Sequence, residues 1–130
     1  KIHTRDSSIR YCLSFQDTDN YFFAIETKGD SLIGTLTVYQ DVFNRIFDMG
    51  ILIGSEDARG QGLGYEAWLA VIQWIEKNFL PRKITAGTMA NNKPMLGVMT
   101  KCGMKNDGYR KSHYVFSHSD VDMVYMARYL

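Results

Sequence analysis

The chain has 130 residues, of which 45% are hydrophobic and 22% are charged, and its formal net charge is +1. That length fits one domain over residues 1–130, and the composition is typical of a globular protein. The small net charge argues against an extended surface for nucleic acid or for an acidic membrane, so any anion site must be local. The two cysteines, Cys12 and Cys102, are far apart in the sequence, which suits a reducing compartment. Neither a membrane span nor a signal peptide is recognised. Together these observations predict a cytoplasmic protein.

The first half of the chain predicts three strands in succession. Residues 8–15 are compatible with a short helix. Aromatic and β-branched residues predict a strand at Tyr21–Glu26, and a turn at residues 28–30 leads into a strand that alternates from Leu32 to Tyr39. After a loop at residues 41–45, a further run alternates between two faces: Phe47, Met49, Ile51 and Ile53 on one, and Asp48, Gly50, Leu52 and Gly54 on the other.

The second half predicts two helices, each followed by a strand, and a final hairpin. One helix runs from Gly62 or Leu63 to about Asn78, and a strand follows at residues 83–89. The next helix starts with Asn92 as its N-cap and ends at Gly103. Strands at 107–117 and 121–129 are joined by a turn at 118–120. The buried stripe of the first helix is predicted to be Ala67, Ala70, Val71, Trp74 and Ile75.

This order of elements predicts the fold class. The central strand-helix-strand unit requires a right-handed parallel crossover, whereas the early and late strands pair as hairpins. The chain is therefore expected to be an α/β or α+β protein whose mixed, mostly antiparallel sheet contains one parallel crossover.

A glycine-rich segment, Arg59-Gly60-Gln61-Gly62-Leu63-Gly64, precedes the first of these helices. Free amides at a helix start and the helix dipole favour an anion, and glycines let a phosphate approach the backbone. The alternative is a tight turn that only enters the helix. Two other phosphate motifs are excluded, because a Rossmann fingerprint needs glycine where Tyr65 stands and a P-loop needs Gly-Lys-Ser/Thr.

The same segment resembles the Gln/Arg-x-x-Gly-x-Gly/Ala motif of the GNAT acetyltransferase family, without a deviation. The stretch from Asp48 to Gly54, with Arg59 to Ala67, is similar to the ribosomal-protein N-terminal acetyltransferase branch. Asn92 with the run Lys101-Cys102-Gly103-Met104 resembles the second helix of the family. The resemblance covers about residues 21–130 and implies a GNAT-like acyl-CoA N-acyltransferase fold. It also implies transfer of an acetyl group from acetyl-CoA to a primary amine, such as a protein N-terminus or an amino sugar.

The resemblance further implies which residues bind the coenzyme. The pyrophosphate would lie on the helix start, and the backbone of the preceding strand would hydrogen-bond the pantetheine arm. Asn92 would bind pantetheine, and Lys101 would lie near the nucleotide. The helix-start residues are Arg59, Gly60, Gln61, Gly62, Leu63 and Gly64, and the strand residues are Ile51, Leu52 and Ile53.

Asp48 is the candidate general base, acting directly or through water, because it is an acid within an otherwise apolar strand. It also aligns with an acidic position often proposed as base in the similar branch. The alternative is a carboxylate that is exposed on a strand face or paired with Arg45. Glu66 matches a common family acid, but in the first helical turn it favours the helix dipole without doing chemistry.

The sequence does not identify which group gives a proton to the departing thiolate. The family often has a tyrosine in the second helix, and Met99 stands at that position. Either Tyr109 or Tyr114 replaces it, or the thiolate leaves unaided. Met95, Met99 and Cys102 are interpreted as packing residues because of their helical spacing.

No metal site is predicted, because His3, His113 and His118 have no ligand spacing. Asp120 and Asp122 are interpreted as turn caps. The family usually has one strand and two helices before the segment at Tyr21. Three alternatives would explain their absence: residues are missing upstream, the acceptor site is unusually open, or another chain, as in a homodimer, completes the site. The leading hypothesis is an N-acetyltransferase; the alternatives are a non-catalytic acyl-CoA-binding module and a fragment that completes its sheet with a partner.

Overall fold

The computed structural model describes residues 13–29, 32–54 and 62–130, and one mixed sheet runs through them. The strands lie in the order β1-β2-β3-β4-β6-β5. Neighbours are antiparallel except β3 and β4, which are parallel, so the predicted sheet with a central parallel crossover is confirmed. The elements are β1 (Tyr21–Glu26), β2 (Leu32–Asp41), β3 (Ile46–Ile53), α1 (Leu63–Asn78), β4 (Lys83–Met89), α2 (Lys93–Lys101), β5 (Lys105–Phe116) and β6 (Ser119–Tyr129).

Helix α1 makes the crossover from β3 to β4, and its buried residues are Trp68, Ile72 and Ile75. The predicted stripe was wrong in part, because it omits Trp68 and Ile72 and includes Ala70, which is exposed. Apolar residues occupy several sides of this helix, so periodicity alone does not choose between adjacent stripes. Packing against the sheet determines which side of α1 is buried. Neither α1 nor α2, the helices of the described ranges, has the length and hydropathy needed to span a bilayer.

Helix α2 begins and ends at the predicted residues. Asn92 caps it, since its Oδ1 accepts a hydrogen bond of 3.3 Å from the backbone amide of Met95. Gly103 follows the helix with a φ of 79°, the left-handed conformation of a Schellman turn. Met99 and Cys102 are 1% and 2% exposed, which confirms their interpretation as packing residues.

The two faces of the sheet are covered differently. Helices α1 and α2 pack on one face, which we call the helix face. Its buried strand residues are Leu36, Val38, Phe47, Met49, Ile84, Ala86 and Met126. Because side chains alternate along a strand, Asp48 and Gly50 point to the opposite face, together with Thr85, the partner of Asp48 in the ladder. We call this the Asp48 face.

The β5–β6 hairpin turns earlier than predicted. Ser117 and His118 form the turn with φ values of 50° and 65°, and Asp120 lies within β6 opposite Val115. Several consecutive residues favour turns here, so cross-strand pairing decides the register. The Oδ1 atom of Asp122 accepts a hydrogen bond of 2.8 Å from the amide of Ser112, where β5 bulges.

Most of the predicted helix at 8–15 lies outside the described residues.

Candidate active site

Strands β3 and β4 run parallel but separate part-way along their length. Within the described residues their register contains three pairs, Ile46–Lys83, Phe47–Ile84 and Asp48–Thr85. Beyond this point β3 remains paired with β2, and β4 with β6. The facing edges, residues 49–53 of β3 and 86–89 of β4, are not paired with each other. We call the space between them the wedge. Its edges present backbone donors and acceptors, which suits an extended ligand that adds itself as a strand.

The start of α1 has an open geometry. Gly62 is the N-cap with a φ of 76°, and no side chain among residues 13–29, 32–54 and 62–130 caps this helix. A Cβ atom built on Gly62 or Gly64 would meet nothing within 4 Å. The amide of Glu66 bonds to the carbonyl of Gly62 at 3.0 Å, and the N–H groups of the turn before it have no acceptor within the helix. These features fit a phosphate group. The other members of the predicted motif, Arg59, Gly60 and Gln61, lie outside the described residues.

Two predicted binding residues of α2 lie beside these features. The Nζ atom of Lys101 is 5.7 Å from the ring centroid of Tyr65, which belongs to the first turn of α1. Lys101 therefore brings a positive charge to the start of α1. The side-chain amide of Asn92 donates a hydrogen bond of 3.2 Å to Oγ1 of Thr88, near the end of β4. Asn92 therefore lies at the mouth of the wedge.

The strand residues predicted to contact pantetheine lie along the wedge. Ile51 and Ile53 are partly buried, and Leu52 is 67% exposed. Ile51 packs against the core of the helix face. Their backbone belongs to the part of β3 that has left β4, which is where an added strand would pair.

Asp48 lies where the wedge begins. Its Oδ1 atom accepts a hydrogen bond of 2.6 Å from Oγ1 of Thr85. Desolvation by the surrounding atoms raises the pKa of the Asp48 carboxyl above its ordinary value, and the hydrogen bond from Thr85 opposes this rise. The residue as a whole is still exposed, so solvent reaches the carboxylate. No ion pair between Asp48 and Arg45 occurs in the described parts of the chain.

Thr85 is a site residue that sequence reasoning missed. It follows Asp48 by 37 positions and meets it only through the parallel pairing of β3 and β4. A threonine in a strand carries no local signal for such a contact. Only the register between the two strands could have revealed it.

Neither candidate donor of a proton to the thiolate, Tyr109 or Tyr114, lies beside the wedge. Tyr109 and Tyr114 are 65% and 41% exposed and belong to β5, the outermost strand. Strands β6 and β4 separate β5 from the wedge. Glu66 is exposed in the first turn of α1, away from the strand that carries Asp48.

The described residues contain no cluster of three His, Cys, Asp or Glu side chains that could hold a metal ion. His113 packs against the ring of Tyr114 with 4.9 Å between centroids, and His118 forms part of the hairpin turn. His3 lies outside the described residues.

Similar folds occur among solved acetyltransferases. A GNAT family acetyltransferase from Bacillus anthracis superposes with a TM-score of 0.82 at 21% identity, covering 98% of this chain and 76% of that one. A ribosomal-protein-alanine N-acetyltransferase from Brucella melitensis gives 0.85 at 15% identity, covering 100% and 81%. A spermidine/spermine N-acetyltransferase from Vibrio cholerae gives 0.86 at 15% identity, covering 98% and 76%. These identities show a shared fold.

The family itself is shown by sequence. The model of the acetyltransferase (GNAT) domain matches residues 2–105. No curated protein matches the sequence significantly. Since the family model spans most of the chain and the fold agrees with it, this protein belongs to the GNAT family and is an acetyl-CoA-dependent acetyltransferase.

Proposed function

We propose that the protein transfers the acetyl group of acetyl-CoA directly to a primary amine, either a protein N-terminus or a small-molecule amine such as an amino sugar. The position of Asp48 carries this proposal. An acyl group at the end of an arm lying in the wedge would arrive where β3 and β4 meet, and Asp48 stands at that point. An alkylamine has a pKa of about 10 and must lose a proton before it attacks. A carboxylate can hold the ammonium group and accept that proton, directly or through water.

The coenzyme is proposed to lie along the open features of the site. Its pyrophosphate rests on the amides from Gln61 to Gly64, with Arg59 and Lys101 supplying positive charge. The openness in front of Gly62 and Gly64 supports this placement. The pantetheine arm hydrogen-bonds to the backbone of residues 51–53, with Asn92 at the mouth of the wedge.

The reaction then follows from these positions. The neutral amine nitrogen attacks the thioester carbonyl carbon, the C–N bond forms, and the C–S bond breaks. A backbone N–H of β3 facing the wedge stabilises the negative charge that develops on the carbonyl oxygen. The sulfur leaves with the electron pair of the broken bond.

The proposal includes two classes of acceptor, a protein N-terminus and a small-molecule amine. The similar structures include one protein named for ribosomal-protein alanine and one named for spermidine and spermine, so the fold does not select between them. The net charge of +1 supports neither a strongly acidic nor a strongly basic acceptor. The Asp48 face carries the acceptor in either case.

A panel of amines tests the proposal. The purified protein is mixed with acetyl-CoA and, in turn, an alanine-initiated peptide, spermidine and glucosamine, and free thiol is measured. We expect release of thiol with one class of amine and loss of that release in Asp48→Asn. Asp120→Asn, the same change on the remote hairpin, is the control and is expected to behave as wild type. Coenzyme binding by calorimetry without thiol release from any of these amines would contradict the proposal.

A further inference from the structure

The thiolate that leaves during transfer needs a proton, and the second helix does not provide one. Met99 occupies the relevant position and is 1% exposed within the core. Tyr109 is opposite Val124, whose side chain packs against the core, so Tyr109 belongs to the helix face. Tyr114 is opposite Val121, beyond the last pair that joins β6 to β4. Neither tyrosine is positioned to serve the wedge.

We propose that Tyr125 donates this proton. The pairing of β6 with β4 places Tyr125 directly opposite Gly87 and Ala127 directly opposite Thr85. Because paired residues share a face of the sheet and faces alternate along a strand, Tyr125 lies on the same face as Asp48. Only the width of β4 separates its backbone from the wedge.

Gly87 makes room for Tyr125 above β4. A Cβ atom on Gly87 would lie 3.3 Å from Cε1 of Tyr125 and 2.2 Å from Cε of Met123. These two side chains therefore occupy the space that a side chain at position 87 would fill. Neighbouring strands are about 4.8 Å apart, and a tyrosine side chain is longer than that distance. The hydroxyl of Tyr125 can thus reach the edge of the wedge across Gly87.

Charged side chains lie near Tyr125 on the Asp48 face. The guanidinium carbon of Arg110 on β5 lies 5.7 Å from the centroid of the Tyr125 ring. Arg110 is opposite Met123 in the ladder, so it lies on the same face of the sheet as Tyr125 and brings a positive charge beside the Tyr125 ring. The other charged residues on this face are Lys105 of β5, opposite Ala127, Asp48 of β3, and Lys83 of β4, whose Nζ atom forms an ion pair of 2.6 Å with Asp107.

The transfer of a proton from Tyr125 to the leaving thiolate rests on the proposed function. When the C–S bond breaks, the sulfur keeps the electron pair and takes the proton from the hydroxyl oxygen of Tyr125. The phenolate regains a proton from water, and the new amide nitrogen loses one to water, directly or through Asp48. A thiol has a pKa of about 8.5 and a tyrosine about 10, so the transfer is close to balanced.

The kinetic test removes only the hydroxyl group. In Tyr125→Phe the ring keeps its contacts with Gly87 and Arg110, and Tyr109→Phe on the helix face is the matched control. With the amine that the wild type acetylates, we expect kcat of Tyr125→Phe to fall about 100-fold, the lower end for a general acid, while KM for acetyl-CoA stays unchanged. The basic limb of the kcat–pH profile should disappear in this variant alone. Unchanged kcat and an unchanged profile would overturn the assignment.

A second measurement needs no acceptor and keeps the two proposals separable. The thiol of bound coenzyme A is titrated in the wild type and both variants through the ultraviolet absorbance of the thiolate. Since a Tyr125 hydroxyl near the sulfur stabilises the thiolate, the bound thiol should have a lower pKa in the wild type and Tyr109→Phe than in Tyr125→Phe. Failure of every amine would reject the proposed function, whereas equal thiol pKa values in all three proteins would reject the role of Tyr125.

Discussion

The two faces of the sheet use the same strands differently. On the helix face, alternate side chains of β2, β3 and β4 are buried beneath α1 and α2. On the Asp48 face, β3 and β4 carry Asp48, Thr85, Gly50 and Gly87. Val38 and Met49 are 0% and 2% exposed. A strand sends successive residues to opposite faces, so one short run of sequence can serve both the core and the chemistry. The core residues and the proposed catalytic residue therefore occupy interleaved positions of the same strands.

The two faces also differ in their electrostatics. All buried residues of the core are hydrophobic among the residues that the structure describes. The Asp48 face instead holds a carboxylate whose pKa is raised by desolvation. Such a group opposes folding at neutral pH, and proteins keep such groups where function requires them. Substitutions on the helix face should therefore change stability, and those on the Asp48 face should change turnover.

The largest expected effect comes from Trp68→Ala. Trp68 is 0% exposed on the helix face, and its Nε1 lies 3.4 Å from the sulfur of Met104. Removing the indole leaves a large cavity, so the free energy of unfolding should fall by about 3–5 kcal/mol in a denaturant titration. Trp74→Ala, at a half-buried residue of the same helix, should lose less. A greater loss at Trp74 would contradict the assignment of the buried stripe.

Asp48→Asn should lower turnover without lowering stability, which would distinguish the Asp48 face from the helix face. If Asp48 is the base, kcat should fall about 100-fold or more. The folded state raises the pKa of this carboxyl, so ionised Asp48 opposes folding at neutral pH, and that penalty is relieved as the pH falls through the folded-state pKa. Asparagine carries no such charge, so stability should rise slightly, by at most about 1 kcal/mol because solvent screens the group. Unchanged kcat with lower stability would place Asp48 among the purely structural residues.

Gly64→Asp tests the helix start, which belongs to neither face. A carboxylate there would oppose the pyrophosphate, so the Kd for coenzyme A should rise at least tenfold, or about 1.4 kcal/mol. Gly64→Ala is the matched control and should retain binding, since a Cβ atom at this position meets nothing within 4 Å. Gly62 is less suitable, because its φ of 76° would strain any other residue. Equal calorimetric affinities for both variants would remove the anion site.

Thr85→Val should give the smallest effect and sharpen the role of the hydrogen bond. The hydroxyl of Thr85 lowers the pKa of Asp48, so its removal should raise that pKa further. The acid limb of the kcat/KM–pH profile should move to higher pH, by less than about one unit. Thr37→Val, on the same face beside Gly50, should leave the limb in place. A shift to lower pH would show that another group titrates there.

Much of the fold could be predicted from local patterns. Aromatic and β-branched residues at Tyr21–Glu26 and alternation along β3 predicted strands, and Asn92 and Gly103 predicted the ends of α2. The buried side of α1 and the hairpin turn were predicted less well. In α1 apolar residues occur on more than one side, and several turn-forming residues follow one another at the hairpin.

The candidate site divides in the same way. The glycine-rich motif, the stretch from Asp48 to Gly54, and Asn92 with the run from Lys101 to Met104 are local features, and the resemblance that they carry together predicted the family. The contact between Asp48 and Thr85 and the placement of Tyr125 over Gly87 were not predictable, because each joins residues on different strands.

Local sequence patterns specify the order of strands and helices, the ends of α2 and the glycine-rich start of α1. These features depend on residues that are close together in the chain: side-chain alternation, capping residues and glycines. The tertiary structure alone sets where β3 and β4 separate, which group meets the carboxylate of Asp48, and which tyrosine lies over Gly87. Those facts depend on the register between strands, which tertiary packing sets and which local patterns do not specify.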